Sequence, residues 1–212
     1  MRKNPSDERV NEGRREMKVC RLILWIVVAS VLLGVVGCQV FSSTTDHTAP
    51  VAVSLKGTQL ETTALVEALL AEKGTRIEAV NANYKDEAFQ AHCVLKSDGE
   101  KLNVVFLAPQ MRLLTILVTK PHRVWCEKAP QIPRLFEPEY ALVDLAFINL
   151  PLAKLQAAVA PTLKVDEANG VRRICRASDG GLVAELAPAE SGARRYRQAL
   201  FGYEYLLKEV AP

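Results

Sequence analysis

From Thr75 onward the apolar residues recur at every second position, and Gly, Pro and Asp cut them into short runs. Phe89, Ala91, Cys93 and Leu95 alternate with Gln90, His92 and Lys96, the pattern of a strand with one buried face. Ser97-Asp98-Gly99 supplies the turn that follows, because Asp-Gly accepts the positive φ angles of a tight hairpin. A strand at 76–84 precedes it. Strands at 102–107, 113–119 and 124–126 come after, separated by Ala108-Pro109-Gln110 and Lys120-Pro121-His122. Runs this close in sequence pair with their neighbours, so an antiparallel meander is expected.

The period then changes. Residues 139–148 are apolar on most sides, as suits a helix laid into a concave sheet. Asn149-Leu150-Pro151 ends that helix and opens another, since Pro fits the first helical turn. Leu152, Leu155 and Val159 form the second helix's apolar stripe, which Ala160-Pro161 stops. An earlier helix is read over 60–70, with Leu65, Ala68 and Leu69 on one side and Lys73-Gly74 as its stop. Strands resume at 163–166, 171–176 and 182–186, with Asp179-Gly180-Gly181 between the last two. Residues 188–197 read as a polar loop. Phe201, Tyr203, Tyr205 and Leu207 alternate in a final strand. The fold class is therefore α+β, in one domain spanning 51–212; 51–55 is either a first strand or part of what precedes it.

What precedes it is an address. Lys18 and Arg21 flank a charge-free run of about 16 residues that closes on Val35-Val36-Gly37-Cys38, the layout of a secretory signal. A bilayer span needs roughly 20 apolar residues, which weighs against the other reading, an uncleaved anchor. Residues 1–16 are polar and mixed in charge, and Met17 would start a signal of ordinary length. Residues 1–37 are thus read as a signal peptide with an extension before Met17. Residues 38–50 are read as a cysteine followed by a polar tether. The Cys38 context resembles the lipobox of bacterial lipoproteins, in which the cysteine is acylated and becomes the first mature residue. By the same resemblance, Gln39 in place of Asp implies sorting to the outer membrane.

Charge excludes one class of partner. Of the 27 basic and 24 acidic residues, seven basic and four acidic precede Cys38, which leaves 20 of each beyond it. No basic field remains to neutralise phosphates, so no nucleic acid is expected. Cys93, Cys126 and Cys175 lack the spacing of a zinc site, and at most one disulfide could join them. The preferred reading is buried thiols acting as small apolar residues. His47, His92 and His122 are isolated, and no nucleophile, metalloprotease or phosphate-loop motif occurs. An enzyme is not expected, nor is a cofactor or metal.

Three segments carry a wider resemblance: Leu107-Ala-Pro-Gln-Met-Arg-Leu-Leu, then Ile132-Pro-Arg-Leu-Phe-Glu-Pro-Glu-Tyr, then Leu150-Pro-Leu-Ala-Lys-Leu. They resemble a family of uncharacterised bacterial lipoproteins, some of them encoded in aryl-polyene pigment clusters. Arg172-Arg-Ile and Gly202-Tyr-Glu-Tyr agree with it. More distantly the layout is similar to the LolB family of outer-membrane lipoprotein receptors. That resemblance implies an antiparallel sheet curled into an open half-barrel, with helices lidding its concave face. It implies a lipid or acylated cargo, and a LolA-like periplasmic carrier as donor. The receptor family carries a membrane-pressing leucine after the turn proline; here that place is Gln110, with Met111 next.

On this reading the sheet's inner face forms an apolar slot lined by Val104, Phe106, Leu114, Ile116, Val118, Trp125 and Phe147. The alternative is that the same residues fill an ordinary core, which leaves a structural envelope lipoprotein. A hydrolase in an unfamiliar fold is a third possibility, resting on Asp144. That acid stands in an apolar helix, and such residues more often face solvent or cap backbone than act from burial. The pairs Arg172-Arg173 and Arg194-Arg195 read as solvated, with lipid head groups as an alternative partner.

Overall fold

The computed structural model describes residues 43–48, 52–84, 87–120, 123–130, 132 and 137–210. Cys38 and the whole of 1–37 lie outside the described residues, as does His122. The chain after Phe41 forms a unit of its own, Ser42–Pro212.

In chain order, β1 (Ser43–Thr48), β2 (Ala52–Leu55) and β3 (Thr58–Glu61) lead into α1 (Thr63–Ala71). A meander follows: β4 (Gly74–Tyr84), β5 (Glu87–Ser97), β6 (Lys101–Ala108), β7 (Met111–Thr119) and β8 (Arg123–Lys128). Two helices interrupt it, α2 (Pro138–Asn149) and α3 (Leu152–Val159). A second meander closes the chain, made of β9 (Leu163–Ala168), β10 (Val171–Arg176), β11 (Leu182–Pro188), β12 (Arg194–Gln198) and β13 (Tyr203–Glu209).

All ten strands from β4 to β13 join one antiparallel sheet, and β1 adds an eleventh at its edge; β2 and β3 pair separately as a hairpin. The order is β1-β8-β7-β6-β5-β4-β13-β12-β11-β10-β9, so the two meanders meet where the last strand pairs with β4. The sheet is open, with β1 and β9 as its edges, and the α+β expectation holds.

Turn chemistry explains the first meander. Gly99 has φ +97°, and Asp98 Oδ1 accepts the N–H groups of Glu100 at 2.8 Å and Lys101 at 2.7 Å. These backbone donors hold the Asp98 carboxyl below its ordinary range.

The sequence reading needs correction in three places. Ser43–Thr48, read as tether, pairs with β8 from Ser43↔Lys128 to Thr48↔Arg123. Leu60 belongs to β3 rather than to the helix, and it is buried. The polar loop read at 188–197 contains β12, whose burial alternates: Tyr196 and Gln198 point in, Arg195 and Arg197 out. Its four charged or amide side chains hid the period, since a strand read by apolar alternation needs apolar residues to alternate.

The core lies on the face of the sheet that carries the helices. Val104, Ile116, Val118, Val124 and Cys126 from the first meander share it with Leu142, Phe147 and Leu155 from α2 and α3. Leu65, Leu69 and Leu70 of α1 complete it. α2 is buried on most of its surface, as expected of a helix covered by a sheet on one side and by helices on the other.

Candidate functional site

A square of polar side chains interrupts this core. Antiparallel register places Tyr196 opposite Tyr205 and Gln198 opposite Tyr203 on β12 and β13. Period two puts all four on the face that carries Val80 and Ala82 of β4, because Tyr205 pairs with Ala82 and Leu207 with Val80. The rings stack: Tyr196 on Tyr205 at 5.7 Å between centroids, and Tyr203 on Tyr205 at 5.2 Å.

α2 sets Asp144 onto this square. Its carboxylate accepts the Tyr196 hydroxyl at 2.5 Å on Oδ1 and the Tyr203 hydroxyl at 2.6 Å on Oδ2. Gln198 Nε2 donates to Oδ1 at 3.3 Å. Asp144 is 4% exposed and Tyr196 fully buried, so Asp144 neither faces solvent nor caps backbone as its sequence position suggested. Burial raises the carboxyl to about 6 despite the three donors that stabilise its charge. Burial, then the neighbouring Asp144 charge, raises all three tyrosines, so their hydroxyls stay protonated and remain donors.

The C-terminal end of α2 is held by two arginines. Arg172 Nη1 donates to the carbonyls of Phe147 at 2.9 Å and Leu150 at 2.8 Å, while its Nε meets Glu167 at 2.8 Å. Arg194 donates to the Ile148 carbonyl at 3.2 Å and pairs closely with the buried carboxylate of Glu78. Guanidinium groups suit this place, where orphan carbonyls and the negative end of the helix dipole meet. Arg172 is thus buried rather than solvated. Arg173 and Arg195 are the outward members of their pairs, meeting Glu185 at 2.9 Å and Glu204 at 3.3 Å.

The residues read as slot liners divide. Val104, Ile116, Val118 and Phe147 are fully buried, and Leu114 is 4% exposed; all five lie in the helix-side core, with Phe106 packed against them. Register puts Val104 beside Ile116 and Phe106 beside Leu114. Trp125 does not belong with them. It pairs with Leu117, one position out of phase with Val124 and Cys126, so it stands on the opposite face with Leu117, Thr119 and Arg123 around a surface hollow. The sequence could not separate the two, because three apolar or aromatic residues in a row carry no phase.

A cavity of about 30 Å³ lies where the square meets the apolar row formed by Val104, Phe106, Leu114 and Ile116 on β6 and β7, lined by Asp144, Tyr205, Cys93 and Phe106 among others. That is room for a water rather than for an acyl chain. Beyond it Phe89 is 46% exposed, on the helix-bearing face and in register with Ala82, which in turn pairs with Tyr205. Gln110 is exposed in the turn between β6 and β7, and Met111 is half-buried. Leu107, just before that turn, is the apolar side chain exposed there, at 36%.

Tyr196, Gln198, Tyr203, Tyr205 and Phe89 were missed as site residues, although Tyr203 and Tyr205 were read as alternating residues of the final strand. The alternation of Tyr196 and Gln198 with two arginines was the available signal. Among the described residues no group of side chains could hold a metal, and no helix is long and apolar enough to cross a membrane. Cys93 and Cys126 are buried, and burial pushes the Cys93 thiol up to about 12.

No curated protein matches this chain. Residues 75–211, from the first strand of the meander to the last, match the family described as "Protein of unknown function (DUF3261)". That span is well over half of the sequence and contains the square, the row and α2, and the chain belongs to the DUF3261 family.

Proposed function

We propose that this protein is an outer-membrane lipoprotein, anchored through acylated Cys38, whose sheet and α2 form a half-barrel slot for a lipid, acyl chain or lipoprotein. The mechanism is transfer of the chain between apolar surfaces without covalent chemistry. A LolA-like periplasmic carrier is the proposed donor, and export of an aryl-polyene-type lipid is the proposed setting. The observation that carries the reading is Phe89. It is a large apolar side chain left 46% exposed on the same face as the buried row, two residues along β5 from the buried Ala91. A chain entering there would slide under α2 along Phe106, Leu114, Val104 and Ile116, gaining about 0.8 kcal/mol for each methylene it buries.

The test is photo-crosslinking of the full chain in membranes with a diazirine-bearing hexadecanoic acid, mapped by mass spectrometry. Adducts are expected on peptides holding Val104, Ile116 or Phe147. Phe89→Asp should reduce them several-fold with thermal unfolding unchanged, since that side chain is already half in water. Adducts confined to the outer face would sink the slot. Anchoring is checked separately: radiolabelled palmitate should enter the parent chain and not Cys38→Ser.

One observation favours a second reading, a structural envelope lipoprotein with a filled core. The row is closed, and the cavity beside it admits about a water. An absence of core-face adducts would select this reading.

A further inference from the structure

We propose that Tyr196, Gln198 and Tyr203 form a carboxylate-binding cradle, filled by Asp144 in the closed protein and by the head group of a free long-chain acid when α2 lifts. This rests on the slot reading above and names its ligand class.

The cradle is built for a planar, two-oxygen acceptor. One tyrosine hydroxyl reaches each carboxylate oxygen, at 2.5 and 2.6 Å, and the Gln198 amide adds a third donor at 3.3 Å. A carboxylate offers only acceptors, which matches three groups presenting only donors to it, and the two hydroxyl bonds have charge-assisted length. An ester offers no charged oxygen. A phosphate head group calls for cations, and the nearby arginines are committed elsewhere: Arg172 to Glu167 and two helix carbonyls, Arg194 to Glu78 and a third.

Position links cradle and slot. Asp144 and Phe147 stand three residues apart on α2, neighbours on one side of the helix. Ala141, Asp144 and Leu145 of α2 line one small cavity with Phe106 and Tyr205, so a movement that takes α2 off Phe106 also takes Asp144 off the tyrosines. The Tyr196 and Tyr203 hydroxyls then lose their carboxylate acceptor, Tyr196 in full burial, a costly state that a ligand carboxylate relieves. The small cavity between Asp144, Tyr205 and Phe106 already joins the two places, so a head group in the cradle directs its tail along the row.

Two measurements on the full chain test this. In the first, the diazirine acid is compared with its methyl ester, where loss of the charge-assisted bonds should lower core-face adducts about tenfold. Tyr203→Phe, which removes one donor and keeps the ring, should bring the ratio towards one. In the second, Asp144→Ala is unfolded by heat in detergent with sodium acetate, with methyl acetate, or with sodium chloride at equal ionic strength. Acetate alone should raise the midpoint, and adding Tyr203→Phe should remove the effect.

Equal adducts from acid and ester overturn the cradle and leave the slot standing. No core-face adducts from either, together with no acetate rescue, overturn both. Acetate rescue without adducts overturns the long-chain ligand, since the cradle would then take only small acids. If Asp144→Ala does not fold even with acetate, the acid-to-ester ratio in the parent and in Tyr203→Phe decides alone.

Discussion

Burial and hydrogen bonding act on Asp144 in opposite directions, and burial is the stronger. Its carboxyl stands at about 6 in the folded chain against an ordinary 3.8. Between those values the folded chain holds a proton that the unfolded chain has released, so stability falls as pH rises through the window. Asp144→Asn has no such proton, and the parent's stability relative to that variant should drop by about 3 kcal/mol between pH values below and above the window. Chemical denaturation at several pH values measures it; a pH-independent difference would mean that Asp144 is not buried as a carboxyl. Cys93 gives a second check. Its thiol is buried and raised to about 12, whereas Cys175 is half-exposed. Iodoacetamide should label Cys175 well before Cys93 in the native chain, and equal labelling would show that the sheet face opens readily.

Helix α2 is fixed by polar contacts at both ends. Near its start the Tyr140 hydroxyl donates to the Ser54 carbonyl of the β2–β3 hairpin at 3.1 Å, and the Tyr140 ring meets Phe201 edge-on at 5.3 Å. At its end stands Arg172. Arg172→Ala removes two charge-assisted bonds to helix carbonyls and leaves those carbonyls buried, which should cost about 2–4 kcal/mol in urea unfolding. Arg172→Lys should recover little, because one ammonium cannot span the two carbonyls and Glu167 together. These fixings were not legible beforehand. Helix α2 itself was, from its apolar run and the proline that ends it, but part of what holds it lies on β12, which read as a loop. Tyr196, Gln198 and Arg194 all lie in that strand, so one missed period concealed half of the square and one of the two arginines.

Among the described residues the sheet and its helices share one core, and the cavity between Asp144 and Phe106 holds about 30 Å³. Val104 is fully buried, so Val104→Trp should destabilise by about 1–3 kcal/mol or more rather than fill a vacant slot. A lowered thermal midpoint checks this; an unchanged one would mean that the row already has room for an acyl chain. What this chain's sequence determined by itself is local. The alternation with turn residues between runs made β4 to β8, the proline boundaries made α2 and α3, and Asp98-Gly99 made a hairpin, because each rests on neighbours a few residues apart. Tertiary structure alone decided that β13 returns to β4 and closes the two meanders into one sheet. It also decided that Trp125 faces away from the row, and that an acid on α2 lands on two tyrosines more than fifty residues later. Pairing register sets these, and register is fixed by which faces bury together, a property of the assembled core that no single segment carries.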